Sequence, residues 1–289
     1  MLHIDEIRER LRNHPEPPEV TAIREHILST FNKLRFVEEG HQYFLPNKDG
    51  GEDELISVSK LTEQFAYPTD WDAVALNKAQ RDGVDVNWLK RQWKENNIRA
   101  TNSGTGVHLF GENFQYFFMG QPEKICDIIK PQYEDGFLIP HSPKEAAAAK
   151  LYEDMFTVDN LYPVLAETRV YMGVNDKFPI HQKYAGTFDM LFAYRSKSDE
   201  YKLAVYDFKT NASLYNDFAR GTGKMMLPPF DYLYDEPLGH YTLQLSAYEL
   251  CLRQIGYTIG DRKLIWLKDD ATYEKISLPS VSDKLAEIL

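Results

Sequence analysis

The sequence predicts an α/β fold in which a central mixed β-sheet is flanked by helices and the N-terminal half is mainly helical. Two observations support this prediction. Apolar residues recur at helical spacing through much of the first half, whereas three later segments alternate in polarity as strands do. Because no internal repeat or low-complexity linker divides the chain, we expect one domain over residues 1–289, made of a helical part (1–100) and a core (101–289).

Turn and cap residues bound the elements of the first half. The stretch HPEPPE separates the first two helices, and Ser142 can cap a helix that has Pro143 at its first position. Asn, Asp and Gly residues near position 50 suit a hairpin turn. The predicted elements are helices at 3–13, 19–35 and 143–161, a hairpin at 35–58, and a largely helical region from Ser59 to about Gly120.

The second half has strand periodicity. The turn SKSDE joins two of its alternating segments into a hairpin. The predicted order is strands PVLAETRVYM (163–172), YAGTFDMLFAYR (184–195) and KLAVYDFKT (202–210), an irregular Gly- and Pro-rich segment (212–239), a helix ending at Gly256, strands at 262–268 and 273–278, and a closing helix at 280–289.

Composition restricts the class of protein. Hydrophobic residues make up 43% of the chain, so a packed core is expected, and no apolar run approaches the ~20 residues of a membrane span. The polar, acidic N-terminus is unlike a signal peptide. Cys126 and Cys251 are the only cysteines, each in an apolar segment predicted to be helical. They suit a reducing cytoplasm and exclude a four-cysteine zinc or iron–sulfur site within the chain.

The formal net charge of −11 argues against a surface that binds nucleic acid throughout, because an acidic protein repels a polyanion at long range. A nucleic-acid function therefore requires a local basic patch or a bound cation. The segment NWLKRQWKENNIR (87–99) is the best candidate patch, through base stacking and phosphate contacts. The alternative is an amphipathic helix with Trp88 and Trp93 in the core and a solvated basic side.

Charged residues interrupt two predicted strands that are otherwise apolar. Asp207 and Lys209 are two positions apart and share a face, and the hairpin can bring Asp189 beside Asp207. Adjacent carboxylates repel each other unless a divalent cation lies between them, and oxygen ligands suit Mg²⁺ or Mn²⁺. Lys209 would then stabilise negative charge near the metal. The alternative is a surface hairpin whose Asp–Lys pair faces solvent.

Two pairs of polar residues have helical spacing. His108 and Glu112 are four positions apart on a predicted helix, and the glycines at 104 and 106 suit a tight entry to that helix. Gln244 and Tyr248 likewise share one face of a later helix. Taken alone, each pair is more typical of a polar helix surface than of a site.

These motifs together resemble the RecB-like branch of the PD-(D/E)XK nuclease superfamily. The matching segments, in order, are GTGVH (104–108), Glu167, GTFD (186–189), DFK (207–209) and QLSAY (244–248). The upstream ISVSKLTEQF and the Trp-rich helices resemble the N-terminal part of phage-type and mitochondrial-genome-maintenance-type exonucleases. Two departures concern Phe188, which stands where proline would precede Asp189, and the missing cysteines of the iron–sulfur relatives, so no cluster is implied.

The resemblance implies a restriction-endonuclease-like core and a Mg²⁺- or Mn²⁺-dependent deoxyribonuclease. The expected activity is an exonuclease on DNA ends or single strands, in recombination and repair, in the cytoplasm of a bacterial or phage-infected cell. The alternative is a non-catalytic relative that uses the fold to bind DNA or to assemble. Cleavage polarity, strand preference and delivery by a recombinase, helicase or single-strand-binding protein remain open.

The resemblance also implies roles for individual residues. Glu167 would act through a water or a second metal, or would only cap its strand. The other implied roles are metal ligation by His108, Asp189, Asp207 and the Phe208 carbonyl, catalysis by Lys209, and DNA contacts by Thr105, Gln244 and Tyr248.

The long segment Leu214–Gly239 is a further candidate DNA contact, because connections of this length inside a compact domain are usually functional or disordered. Arg220 and Lys224 flank glycines just after the catalytic strand and are predicted to contact phosphates. The alternative is a packed cover over the edge of the sheet.

Overall fold

The computed structural model describes residues 1–126, 132–158, 160–174, 179 and 182–289. Its strands are β1 (Arg35–Val37), β2 (Gln42–Pro46), β3 (Glu52–Ser57), β4 (Tyr133–Glu134), β5 (Phe137–Leu138), β6 (Leu161–Tyr171), β7 (Tyr184–Arg195), β8 (Tyr201–Lys209), β9 (Ile259–Leu267) and β10 (Tyr273–Ser277). Its α-helices are α1 (Ile4–Asn13), α2 (Pro18–Phe31), α3 (Val58–Glu63), α4 (Trp71–Asp82), α5 (Val86–Phe118), α6 (Pro143–Phe156), α7 (Asp217–Thr222), α8 (Pro237–Arg253) and α9 (Ser282–Ala286).

A mixed eight-stranded sheet forms the centre of the described structure. Its main order is β1-β2-β3-β7-β8-β9-β10, and β6 pairs along the other edge of β7. The β3–β7 and β8–β9 pairs are parallel, and the other pairs in this sheet are antiparallel. Both β3 and β8 therefore share one edge of β7. The separate pair β4–β5 forms a small hairpin.

Helices cover both faces of the sheet. One hydrophobic cluster joins the sheet to α2, α3, α8 and α9, and the other joins it to α1, α5 and α6. Tyr206 and Phe208 are buried in the second cluster, as their position on the strand predicts. The predicted α/β class, with a mixed central sheet between helices, is confirmed.

Capping residues explain why several helices begin where they do. The Ser142 hydroxyl accepts a hydrogen bond from the Glu145 amide at 3.2 Å, and Pro143 occupies the first position of α6 as predicted. The predicted extension of this helix to 161 is wrong. It ends at Phe156, Asp159 lies outside the described residues, and Leu161 begins β6, where Pro163 favours an extended residue before it.

The region from Ser59 to Gly120 is helical but is divided into three helices. Gly83, with a φ of +67°, ends α4, and the Asp85 carboxylate then caps α5 by accepting from the Trp88 amide at 2.8 Å. The glycines at 104 and 106 therefore lie inside α5 and do not form the tight helix entry that the sequence predicted. The pattern around them could not show that the helix begins at a cap far upstream.

Two further expectations are wrong. The segment 212–239, predicted to be irregular, contains α7, which Asn216 caps, and the start of α8, which has Pro237 at its first position. Cys126 lies outside any helix and is exposed, whereas Cys251 is buried in α8 as expected. The six-residue helix α7 is too short for helical periodicity to give a clear signal.

Candidate metal centre

The candidate site lies where β3 and β8 diverge along the same edge of β7. β3 pairs with Tyr184 and Ala185, and β8 pairs with β7 from Met190 onward, so residues 186–189 pair with neither. The Asp189 carboxylate bridges this opening, because its Oδ2 accepts the backbone N–H of Phe208 at 2.6 Å. The Asp189 oxygen thus takes the place of the backbone carbonyl that would accept from Phe208 in a regular strand pair. This hydrogen bond fixes the Asp189 carboxylate beside β8.

The neighbouring strand β6 is distorted at the same level. Glu167 has a φ of +43°, which is unusual for a residue with a side chain and costs on the order of 1–3 kcal/mol. Side-chain alternation also breaks on β7, because Phe188 and Leu191 belong to the same hydrophobic cluster although an odd offset along a regular strand would place them on opposite faces. The flanking pairs Ala166–Met190 and Thr168–Phe188 place Glu167 opposite Asp189 at this level of the sheet. Strain of this kind clusters at functional sites.

A glycine in α5 brings the third residue into place. A Cβ on Gly111 would lie 2.2 Å from the Phe208 ring, so only glycine allows the helix to pack this closely on β8. His108, one turn earlier, lies with its ring centroid 6.3 Å from that of Phe208. A glycine inside a helical pattern often marks such an approach, and that signal was available in the sequence but was not used.

His108, Glu167 and Asp189 form a cluster of possible metal ligands. His108 Nδ1 is 3.2 Å from Asp189 Oδ2 and 3.7 Å from Glu167 Oε1, and one donor atom from each of the three residues lies within 4.8 Å of the others. Glu167, the least secure of the residues predicted from the resemblance, belongs to this group. Glu112 does not, because its carboxylate instead accepts from the Tyr116 hydroxyl at 3.2 Å.

Asp207 is next to this cluster but is not part of it. It is 1% exposed and forms an ion pair with Lys209. Apart from that ammonium, Asp207 Oδ2 has no hydrogen-bond partner among the described residues. The Lys209 ammonium also lies 4.3 Å from the centre of the Tyr241 ring, which holds it through a cation–π contact. The predicted ligand set His108, Asp189 and Asp207 is therefore only partly assembled in the structure.

Burial and close charges shift the pKa values of the cluster in opposite directions. Burial lowers the pKa of His108, but the Asp189 and Glu167 carboxylates outweigh burial and raise it to about 10. Burial raises the pKa of Glu167 to about 7, against the opposing effect of His108. Burial also favours neutral Asp189, but the charges of His108 and Lys209 prevail and lower its pKa. Without a metal, His108 therefore supplies the positive charge that Asp189 requires.

The Asp207–Lys209 pair shows a similar balance. Burial and the Asp189 charge raise the pKa of Asp207 to about 6, although Lys209 opposes this. Burial lowers the pKa of Lys209, but the Asp207 and Asp189 carboxylates outweigh it and raise that pKa. Three carboxyl groups, those of Glu167, Asp189 and Asp207, thus share one buried region with two cationic side chains, His108 and Lys209. Such clustering is typical of functional sites.

Gln244 and Tyr248 lie close together on α8 beside this region. The Gln244 amide donates to the Tyr248 hydroxyl at 3.1 Å. A Cβ on Gly186 would lie 2.7 Å from the Tyr248 ring and 2.8 Å from Val58. This glycine therefore admits the aromatic ring against β7.

An open cleft of about 1050 Å³ leads to the cluster. One wall is formed by α5 residues with small side chains, including Thr105, whose hydroxyl donates to the Thr101 carbonyl at 3.1 Å. His108 and Glu167 lie on the cleft floor, and Phe36 and Arg169 line the opposite wall. Arg169 was not singled out from the sequence, because nothing in the strand pattern of β6 indicates which side chains reach a cleft.

The two basic residues predicted to contact DNA from the segment Leu214–Gly239 are both engaged elsewhere. Arg220 Nη2 is 2.8 Å from Glu236 Oε1, and Lys224 Nζ is 2.8 Å from Asp235 Oδ2. The side chain of Glu236 is 2% exposed, so its partner compensates a buried charge. This arrangement favours the packed-cover alternative, and neither basic residue lines the cleft among the described residues.

The Trp-rich segment 87–99 is more exposed than it would be if both of its tryptophans lay in the hydrophobic core. Trp88 is 46% exposed, while the adjacent Leu89 is buried. Trp93 contacts Trp71 edge-to-face with centroids 6.4 Å apart, and Lys90 pairs with Asp72 at 2.7 Å. The interpretation with both tryptophans in the core is therefore wrong for Trp88. The DNA-contact interpretation stays a prediction.

Comparison with models of known protein families found no match, and a search of curated proteins also found none. Over the described parts of the chain, none of the helices combines the length and apolar character that crossing a membrane requires.

Proposed function

We propose that this protein is a metal-dependent nuclease of the RecB-like PD-(D/E)XK type, which hydrolyses phosphodiester bonds in DNA at ends or in single strands. The observation that carries the proposal is the convergence of His108, Glu167 and Asp189 at the floor of an open cleft, beside the buried pair of Asp207 and Lys209. The restriction-endonuclease-like core is part of the proposal. The mixed sheet between helices is compatible with it.

The donor set suits a divalent cation. His108, Glu167 and Asp189 would hold it, and the Asp207 carboxylate, which is paired with Lys209, lies beside them as a further anionic group. One imidazole with two or more carboxylates is compatible with Mn²⁺ or Mg²⁺. When bound, such an ion polarises phosphate oxygens and neutralises negative charge in phosphodiester hydrolysis.

The chain's own residues supply the remaining functions. The Lys209 ammonium stays protonated because its pKa is raised by two carboxylates, so it can donate to a phosphate oxygen and stabilise the negative charge that develops there. Asp207 and the Tyr241 ring restrict where this ammonium can lie. Gln244, hydrogen-bonded to Tyr248 at the same region, would orient the strand. Local cations thus offset the acidic net charge of the whole chain.

A cleavage assay with a matched control tests the proposal. Labelled single-stranded and double-stranded DNA, marked at either end, would be incubated with Mn²⁺, Mg²⁺ or EDTA. We expect cleavage with metal and none with EDTA, and we expect Asp189→Asn to lose both metal binding and cleavage. The control is Lys263→Ala, because Lys263 pairs with Asp261 on β9 in the same D-x-K spacing as Asp207 and Lys209 but outside the cleft.

Two outcomes would reject the nuclease. One is a wild-type protein that leaves every substrate intact with metal present. The other is cleavage that persists unchanged in Asp189→Asn, which would indicate a contaminating enzyme. Binding of DNA without cleavage by the wild-type protein would instead support the non-catalytic alternative.

A further inference from the structure

The wall of the cleft opposite α5 carries a basic side chain to which the proposed chemistry assigns no role. Arg169 lies on β6 two residues after Glu167, is exposed, and lines the cleft with Phe36. Its guanidinium carbon is 4.8 Å from the centre of the Phe36 ring. We propose that Arg169 binds a backbone phosphate of the substrate strand next to the scissile one, so that the cleft selects nucleic acid over small phosphodiesters. The inference rests on the proposed nuclease function.

The first support is that Arg169 forms no ion pair with any residue that the structure describes. No carboxylate among the described residues lies within ion-pair distance of it, whereas the other arginines near this edge of the sheet, Arg24 and Arg35, are paired with Glu16 and Glu52. Glu112 lines the same cleft and is near enough for the charge of Arg169 to act against the burial that raises its pKa, but its carboxylate accepts a hydrogen bond from Tyr116 and forms no ion pair with Arg169. An unpaired guanidinium offers parallel N–H donors whose spacing matches two phosphate oxygens.

The second support is that the wall is preorganised. The Phe36 ring meets His41 edge-to-face with centroids 4.9 Å apart. The Tyr43 hydroxyl lies 3.1 Å from His41 Nε2 and 3.1 Å from the Thr187 hydroxyl, which links the β1–β2 hairpin to β7. Phe36 is therefore a positioning residue, because its fixed ring limits the orientations that the Arg169 guanidinium can adopt. A fixed guanidinium loses less conformational entropy when it binds.

The third support is the shape of the cleft. Its volume of about 1050 Å³ is at or above the upper end of the ~300–1000 Å³ typical of small-molecule pockets, as a strand of more than one nucleotide requires. Several α5 residues that line the cleft, among them Ala100, Thr101 and Gly104, have short side chains that leave room for a strand. A chain of phosphates can then pass both the ligand cluster and Arg169.

The test measures binding separately from cleavage. A fluorescein-labelled 12-nucleotide single strand would be titrated by anisotropy in Mn²⁺ against Lys209→Ala protein and against the same protein carrying Arg169→Gln. We expect the Arg169→Gln change to weaken binding about tenfold, since hydrogen bonds to charged groups contribute strongly. The slope of log affinity against log salt should fall by roughly 0.7, the value for one phosphate contact on a single strand. The Mn²⁺ affinity should be the same in both proteins.

A matched arginine provides the control. Arg35 is also stacked on a phenylalanine, with its guanidinium carbon 4.3 Å from the Phe44 ring centre, but it is paired with Glu52 and does not line the cleft. Arg35→Gln should therefore bind the strand as the parent does. Arg169→Lys should restore the salt slope and only part of the affinity, because an ammonium keeps the charge and loses the paired donors.

The inference is overturned if Arg169→Gln binds the strand with the affinity and salt slope of Arg35→Gln. It is also overturned if the parent protein binds no strand. If Arg169→Gln melts at a lower temperature than the parent, its weaker binding could come from misfolding, and Arg169→Lys is then compared with the parent instead. A folded Arg169→Lys protein that binds the strand with the full affinity of the parent rejects a phosphate contact through two guanidinium N–H groups. Failure of the nuclease proposal is distinct, because it is seen as wild-type protein that binds DNA and leaves it uncleaved.

Discussion

Replacing Glu167 by glutamine is expected to stabilise the metal-free protein at alkaline pH and to leave its stability unchanged in acid. The pKa of Glu167 is raised from its ordinary 4.5 to about 7, chiefly by burial, and this value already includes the attraction of His108. A carboxyl whose pKa is raised in the folded state costs no stability below its unfolded pKa and costs most above its folded pKa. The window of change therefore lies between about pH 4.5 and about pH 7.

The size of the effect follows from the same values. One pKa unit corresponds to about 1.4 kcal/mol, so an increase from 4.5 to about 7 gives an upper limit of about 3 kcal/mol. The side chain is 30% exposed, and water screens part of this cost. We expect a gain of about 1 to 3 kcal/mol at pH 8, which corresponds to a rise in melting temperature of roughly 2 to 6 °C for a chain of this size.

Urea unfolding and thermal melting in EDTA, from pH 4.5 to pH 8.5, would measure the difference between wild-type protein and Glu167→Gln. With Mn²⁺ the order should reverse, because a metal bound at 100 times its dissociation constant adds about 2.7 kcal/mol to the form that binds it. Glu112→Gln is the control, since Glu112 lies in the same cleft but outside the ligand cluster. Because this variant keeps all three ligands, Mn²⁺ should stabilise it as much as it stabilises wild-type protein.

The reasoning is refuted if the stability difference between wild-type protein and Glu167→Gln stays constant across that pH range in EDTA. It is also refuted if the variant is less stable than wild-type protein at pH 8 without metal. Either result would mean that ionised Glu167 is better solvated or better paired than its burial and neighbours indicate.

Three other substitutions test separate parts of the structure. Lys209→Ala should keep its Mn²⁺ affinity in calorimetry and lose about 10²-fold or more in cleavage rate, as other electrostatic catalytic groups do. Gly111→Ala should destabilise the fold by roughly 1 to 3 kcal/mol in urea unfolding, because its Cβ would lie 2.2 Å from an aromatic ring on β8. Arg220→Ala should lower the melting temperature, because it leaves the buried Glu236 carboxylate without its partner.

Each of these predictions has a contrary result. Cleavage at the wild-type rate would remove Lys209 from the chemistry. Gly106→Ala is the control for Gly111→Ala, since its Cβ would meet nothing closer than 3.9 Å, and equal stability of the two variants would contradict the packing argument. An unchanged melting temperature in Arg220→Ala, with weaker DNA binding, would restore the original hypothesis that this residue contacts phosphate.

Strand periodicity predicted part of the candidate site. The spacing of two placed Asp207 and Lys209 on one face, and the hairpin brought Asp189 near them, as β7 and β8 show. That Asp207 would pair with Lys209 and stay outside the ligand cluster could not be predicted, because periodicity assigns a face and does not assign a partner. The same limit explains why Glu167 was uncertain. Its place in the cluster follows from the pairing of β6 with β7, which sets it opposite Asp189, and the pattern of one strand does not reveal its partner.

In the N-terminal half, the sequence predicted that helices are present better than it predicted where each helix begins and ends. Residues at 104 and 106 were assigned to a helix entry because glycine is common at helix ends, yet the helix begins at a cap near residue 85. Arg169 and Phe36 are far apart in sequence and meet only because β1–β2–β3 joins the edge of β7. Contacts of this kind depend on how distant strands pair, and local sequence patterns do not predict them.

The sharing of one edge of β7 by two strands also affects local opening of the sheet. β3 is joined to β7 through only Ile56 and Ser57, whereas β8 pairs with it along six residues. Because few hydrogen bonds hold that junction, the free energy of opening β1–β2–β3 should be lower than that of β7–β8–β9. Its amide hydrogens should therefore exchange with solvent before those of the central strands. Opening there would separate Phe36 from Arg169 and widen the cleft from its side.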